Sequence, residues 1–318
     1  MNLFRRSLLV VVVSVLVFAM AGLIATWAPD KPVDELKARW AQPPSTFINV
    51  DGLQVHLRDE GPRDDPAPIV LLHGTSASLH TWEGWAQALR GKRRVVRFDL
   101  PGFALTGPNR ENDYSTQAYV KFVRAVVDQL GIQRFVIAGN SLGGQIAWSV
   151  AAAMPDRVDR LILVDASGYP PESITTKQSI PLGFRIASIP WMRPLMEHTL
   201  PRGIVLSSVR NVYGDPSKVT PELVDLYYAM ALREGNRAAL GRRMDQGYTG
   251  DVAQLKKITA PTLVLWGGKD KLAPTEFGPR FARDIPDAKL VVFDDLGHVP
   301  HEEDPARTVA EVKRFLGL

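Results

Sequence analysis

The chain has 318 residues, 45% of them apolar, so it can bury a large core as one α/β domain or as two, and length alone leaves the domain count open. Its net charge of +4, with basic residues scattered among acids, leaves no footprint for nucleic acid. With no cysteine there can be no disulfide, thiolate metal site or cysteine nucleophile, and six histidines are the only soft ligands, which disfavours metal catalysis and leaves the redox compartment open.

At the N-terminus, Ser7 to Ala28 runs without a charge, behind Arg5 and Arg6 and ahead of Asp30 and Lys31. About 20 such residues suffice for a spanning helix, and the basic flank favours a cytoplasmic N-terminus with everything after Asp30 across the membrane. A cleaved signal peptide competes: Leu8 to Phe18 makes its apolar region and Ala19-Met20-Ala21 its cleavage site. The apolar run continues through Leu23, Ile24 and Trp27, which an anchor requires and a signal peptide does not. Residues 1–28 are therefore read as a signal anchor carrying a periplasmic or otherwise extracytoplasmic domain, with secretion after cleavage as the alternative.

Residues 29–45 form a polar linker with a short helix at Val33 to Trp40. Thr46 to Val50, the Asp51-Gly52 turn and Leu53 to Arg58 read as a hairpin. Buried strands follow at Ile69 to Leu72, Arg94 to Phe98, Phe135 to Ala138, Leu161 to Val164, Thr262 to Trp266 and Lys289 to Phe293. Helical patterns alternate with them at Trp82 to Arg90, Thr116 to Leu130, Ser141 to Met154, Thr275 to Asp284 and Pro305 to Phe315. This rhythm belongs to a mostly parallel α/β sheet covered on both faces. From about 168 to 251 the rhythm breaks into short apolar helical patterns punctuated by Pro170, Pro171, Pro181, Pro190, Pro194, Pro201 and Pro221. They read as a helical cap inserted between core segments 46–167 and 252–318.

The strongest chemical signal is Gly139-Asn140-Ser141-Leu142-Gly143, a G-x-S-x-G between a strand and a helix. A serine on so sharp a turn brings its neighbours two residues away into near collision, so both must lack side chains. The turn aims the Leu142 amide at any oxyanion formed beside Ser141. A serine hydroxyl needs a base, and the base needs an orienting acid. Asp270 follows one strand end through Gly267-Gly268-Lys269, and His298 follows another through Asp294-Asp295-Leu296-Gly297, both on the edge that carries Ser141. Asp165, also at a strand end, competes for the acid role, and Asp294 and Asp295 read as surface loop.

Of the other histidines, His301 precedes the acidic, helix-opening stretch Glu302-Glu303-Asp304, His56 reads as exposed in the hairpin, and His198 reads as structural or surface. His73-Gly74-Thr75 follows a strand, so the Thr75 amide should supply the second oxyanion donor with His73 as scaffold. The run Thr75 to Trp82 would leave room beside the nucleophile and put His80 and Trp82 at the pocket rim.

Together these residues resemble the α/β-hydrolase superfamily from about Phe47 to Leu316, and within it the bacterial family V lipases and esterases and membrane-anchored monoacylglycerol lipases. The resemblance rests on His73-Gly74-Thr75, Arg97-Phe98-Asp99-Leu100-Pro101-Gly102-Phe103, Gly139 to Gly144, Trp266 to Asp270 and Gly297-His298. It implies an eight-stranded sheet, no cofactor, and ester hydrolysis through an acyl-enzyme with Ser141, Asp270 and His298 as triad. Ala104 departs from the glycine that relatives carry there and is expected to reshape the pocket wall, while Ser141 sets aside the dehalogenase and epoxide hydrolase branches, which use aspartate. In the cap, Ile180 to Val205 carries Leu182, Phe184, Ile186, Ile189, Trp191, Met192, Leu195 and Met196, which line either an acyl tunnel or the cap's own core. The substrate is then a small lipophilic ester, with no obligate protein partner. The alternatives are a carbon–carbon bond hydrolase of ring-cleavage products, with Arg185 or Arg193 holding a substrate carboxylate, and a non-enzymatic ligand receptor on the same fold.

Overall fold

The computed structural model describes residues 3–170, 182–187, 189–247 and 249–318. Eight strands make one open sheet: β1 (Ser45–Val50), β2 (Leu53–Glu60), β3 (Ile69–Leu72), β4 (Val95–Phe98), β5 (Phe135–Asn140), β6 (Val158–Val164), β7 (Thr262–Gly267) and β8 (Ala288–Phe293). Their order is β1-β2-β4-β3-β5-β6-β7-β8. β2 pairs antiparallel with both β1 and β4, and every pairing from β4 to β8 is parallel.

Helices α1 (Leu3–Ala25) and α2 (Val33–Trp40) precede the sheet. Within and after it come α3 (Glu83–Leu89), α4 (Thr116–Gln129), α5 (Leu142–Ala153), α6 (Leu182–Ala187), α7 (Arg193–Met196), α8 (Arg202–Val212), α9 (Pro221–Leu232), α10 (Asn236–Gln246), α11 (Phe277–Asp284), α12 (Pro300–Glu303) and α13 (Pro305–Leu316). The apolar strands are uninterrupted because both faces are covered. On β3, Val70 and Leu72 pack with residues of α4, α5 and α11, whereas Ile69 and Leu71 pack with Trp82, Trp85 and α13. Ser115 caps α4 by accepting from the Ala118 amide at 3.2 Å, which fixes where that helix starts against the sheet.

Helices α6 to α10 all fall between β6 and β7, so the broken rhythm of the sequence is a helical insertion. Pro171, Ile180 and Pro181 lie outside the described residues. The insertion is stitched to the sheet domain through Val299, which packs with Val209, Tyr213, Val219 and Val224.

His56 corrects the sequence expectation: it is fully buried, because β2 is not an edge strand but lies between β1 and β4. Its Nδ1 lies 2.7 Å from Asp99 Oδ2, and Asp99 also accepts the amides of Leu79 at 2.8 Å and Leu105 at 3.0 Å. Although burial opposes the charge, the neighbouring histidines, His56 first, hold the Asp99 carboxyl down at about 2. Asp99 thus ties the hairpin to the loop carrying the Arg97 to Phe103 motif.

The described apolar side chains of α1 stand away from the protein, with Val10 at 64%, Phe18 at 79% and Ile24 at 70% exposure. Considered over the described side chains alone, no helix is long and apolar enough to cross a membrane. The case for an anchor therefore rests on the sequence of the whole 23-residue helix. Its C-terminal end is fastened to the insertion: the Ala28 amide donates to His198 O at 2.8 Å, the Leu200 amide to Thr26 O at 3.0 Å, and Trp27 stacks on His198 with centroids 5.5 Å apart.

Candidate active site

Ser141 sits between β5 and α5 at φ 53° and ψ −116°, a conformation that a side chain adopts only where its surroundings force it. The flanking glycines explain the motif. A Cβ on Gly139 would lie 2.0 Å from Gly143 O, and one on Gly143 would lie 2.2 Å from Leu72 O. The Ser141 amide donates to Val164 O at 3.1 Å, and its carbonyl accepts the Ser167 and Gln145 amides at 3.0 Å each, so the turn is held from both sides. Thr75 lines the same space, and neither its amide nor that of Leu142 has an acceptor among the described residues. That leaves two N–H donors available where an oxyanion would form.

His298 and Asp270 meet as the spacing predicts, with Nδ1 2.7 Å from Oδ2. The other Asp270 oxygen accepts the amides of Leu272 at 2.7 Å and Ala273 at 3.0 Å, so the carboxylate is fixed before it meets the imidazole. With Nδ1 committed to an acceptor, Nε2 is the nitrogen left for a serine proton, and His298 and Ser141 line one cavity. Asp165, the competing acid, lies behind this pair. Its Oδ1 accepts the Gly267 amide at 2.8 Å, and the Asp165, Asp270 and His298 ligand atoms lie within 4.8 Å of one another. Burial first, and then the Asp270 charge, push the Asp165 acid well above the usual carboxylate range. A neutral acid beside a committed His–Asp pair is a poor donor set for a metal ion.

Two residues that position the histidine were missed in the sequence. Asn140 Nδ2 donates to Val164 O at 3.1 Å and to His298 O at 2.9 Å, joining β5 to the histidine loop. Glu303 is buried, accepting the amides of Gly297 at 2.8 Å, Gly214 at 2.9 Å and Asp215 at 2.8 Å. The His298 amide itself donates to Val212 O at 2.7 Å, so the histidine loop is built partly on the insertion. An acidic residue five positions after a histidine carries no pattern that would announce this. His301 is scaffold: Thr81 Oγ1 lies 3.1 Å from its Nε2, its ring packs tilted against Trp82 with centroids 4.0 Å apart, and burial holds it well below the ordinary histidine value. His73 is scaffold as expected, accepting the Leu100 amide at 2.9 Å.

The cavity over Ser141 has a volume of about 480 Å³. From the insertion it is walled by Phe184, Met196, Leu200, Ile204, Val205, Val209, Leu240 and Met244, and from the sheet domain by Leu272 and Phe277. Of the wall expected from sequence only Phe184 and Met196 are present, because Leu182, Trp191 and Leu195 turn outward, with Trp191 80% exposed. Neither His80 nor Trp82 lines the cavity: Trp82 is buried and His80 half-buried, and desolvation lowers His80 to about 4. Ala104 does not shape this wall. It lies at φ 45°, the left-handed conformation that explains why glycine suits the position, and borders a separate small cavity with Phe103 and Met230. Arg193 lines the main cavity but is paired with Asp245, and Arg185 is exposed and does not line it.

A family model described as alpha/beta hydrolase fold matches residues 67–305. An uncharacterised hydrolase of Bacillus subtilis, YugF, is 28% identical over 278 residues, 86% of this chain and 98% of that protein. A 2-hydroxy-6-oxo-2,4-heptadienoate hydrolase of Pseudomonas putida is 28% identical over 280 residues, covering 85% and 95%. Among solved structures, a bacterial membrane phospholipase A superposes with a TM-score of 0.74 at 24% identity over 98% of both chains.

Proposed function

The chain belongs to the α/β-hydrolase family, and on that premise we propose that it is a serine esterase that cleaves lipophilic carboxylic esters, monoacylglycerols among them, through an acyl-enzyme on Ser141. The observation that carries the proposal is the His298 to Asp270 contact at 2.7 Å, with that histidine and the strained Ser141 facing one largely apolar cavity. Ser141 Oγ attacks the ester carbonyl as His298 Nε2 takes its proton. The oxyanion is met by the amides of Thr75 and Leu142, and Asp270 stabilises the imidazolium. The alcohol leaves with the proton from His298, and water, activated by the same imidazole, then releases the acid.

We further propose that α1 anchors the enzyme in a membrane, with the catalytic domain on the extracytoplasmic side. Ser7 to Ala28 is uncharged and follows two arginines, and most of the described apolar side chains of the helix are exposed. Its fastening to residues 198–200 would hold the insertion close to the lipid surface.

One observation favours a second reading, carbon–carbon bond hydrolysis: relatives at 28 to 29% identity are named as hydrolases of 2-hydroxy-6-oxo-2,4-heptadienoate, 2-hydroxymuconate semialdehyde and 2-hydroxy-6-oxononadienedioate. Both reactions use the same triad, so kcat/KM on p-nitrophenyl butyrate, a monoacylglycerol and a 2-hydroxy-6-oxo-dienoate separates them. Turnover of the two esters well above the dienoate supports the esterase, and the reverse order overturns it.

A further inference from the structure

Three arginines line the Ser141 cavity, and two have counter-ions. Arg193 pairs with Asp245, and Arg237 donates from Nη2 to Asp30 Oδ1 at 2.6 Å. Arg243, in the last turn of α10, has none: among the described residues no carboxylate reaches it. Its charged group interacts only with the Tyr119 hydroxyl, which gives its own proton to Pro101 O at 3.0 Å, and its Nε is buried without a partner. The next donor along the wall is incomplete too, since Arg237 Nη1 is buried with no acceptor. Glu197 borders the same cavity from the end of α7, and no ion pair joins it to Arg243.

Arg243 is half-buried in the cavity wall and a guanidinium does not shed its proton, so a cation there with no acid beside it is only partly compensated unless a ligand supplies the acid. The dipole of α10 favours a cation in its last turn but supplies only part of that compensation. Burial lowers the Arg243 pKa, in keeping with an uncompensated site.

We infer that the cavity takes a substrate bearing a compact anionic group, a carboxylate or a phosphate, seated along α10 with the Arg243 guanidinium as its counter-ion. The inference rests on the esterase reading for the bond that is cleaved, but not for the binding of the anion. It narrows the substrate from any lipophilic ester to one with an apolar stretch along α8 and a single charged end.

The test compares kcat/KM for p-nitrophenyl valerate with that for two charged analogues of similar length, the p-nitrophenyl monoesters of succinate and of a phosphonobutyrate, in wild type, R243K and R243M. The charged-to-neutral ratio should fall on the order of thirtyfold in R243M, with R243K between, because removing one partner of a buried charge pair has that effect. The charged ester that loses more identifies the anion, and a dienoate run alongside reports whether it accompanies an ester or a carbon–carbon bond. R243M should melt close to the wild-type temperature, since Arg243 is only half-buried and makes no ion pair among the described residues. An unchanged ratio, or a marked fall in melting temperature, overturns the inference. Should no ester turn over, the esterase reading fails by itself, and glutarate still reads the subsite: it should raise the melting temperature of wild type and not of R243M, and equal shifts would refute the subsite.

Discussion

Asp165→Asn asks which of two adjoining buried carboxyls carries the charge. Asp165 is fully buried and accepts the Gly267 amide, and burial together with the Asp270 charge holds its acid well above the ordinary value of 3.8. A folded pKa raised above the unfolded one means that the group's contribution to stability is fully present below that ordinary value. It is lost as pH rises toward the folded pKa, by about 1.4 kcal/mol per pH unit. Asparagine keeps the Oδ1 acceptor, offers an N–H where the acid keeps its proton, and cannot ionise. Urea unfolding at a series of pH values from about 5 to about 8 should therefore show the variant gaining on wild type by up to that slope as pH rises. Asp165→Ala, which strands the buried Gly267 amide, should instead lose about 1–3 kcal/mol at every pH. Because the imidazole's own partner is untouched, Asp165→Asn should keep kcat within about tenfold of wild type. A stability difference that does not change with pH, or a loss of turnover as deep as that of Asp270→Asn, would refute the assignment of charge to Asp270.

Asp270→Asn removes the acceptor that fixes the His298 tautomer, and kcat on a p-nitrophenyl ester should drop by about 10⁴ with little change in melting temperature. Gly143→Ala would set a Cβ 2.2 Å from Leu72 O, backbone that cannot move aside, and should cost at least about 3 kcal/mol in urea unfolding together with activity. Glu302, raised by burial to about 7 and receiving the Tyr227 hydroxyl at 2.9 Å, contributes stability below its ordinary 4.5 that is lost as pH climbs through about 7. Glu302→Gln should accordingly melt higher than wild type at pH 8 by more than at pH 5, as followed by circular dichroism. Removing residues 1–28 should move the enzyme from the membrane pellet to the supernatant after ultracentrifugation, and continued pelleting would argue against the anchor.

The nucleophile turn was legible because its demand is local: two glycines, a strand before and a helix after, each readable within a dozen residues. The acid was not decided by chain order, since Asp165 and Asp270 both end strands on the same edge. Only the 2.7 Å contact to His298 separates them. His56 was misjudged because alternation in a hairpin marks one face as exposed, whereas here Asp99, Ser45, Phe47 and His80 enclose the ring. The insertion's helices could be recognised from their apolar pattern, but not which face meets the cavity. Phe184 lies inside while Trp191 and Leu195 lie outside, a choice made by packing against α8 and α10 rather than by period. Glu303 read only as part of an acidic, helix-opening stretch, and its three backbone partners come from segments distant in sequence or hidden in a turn.

The central claim is that one serine, held in a strained turn, becomes nucleophilic through one histidine. Treating the full-length enzyme with a fluorophosphonate and mapping the modified peptide by mass addresses it directly. The label should fall on Ser141, be absent from Ser141→Ala, and be much slower in His298→Ala. Labelling at another serine, or p-nitrophenyl ester turnover undiminished in Ser141→Ala, would contradict the account.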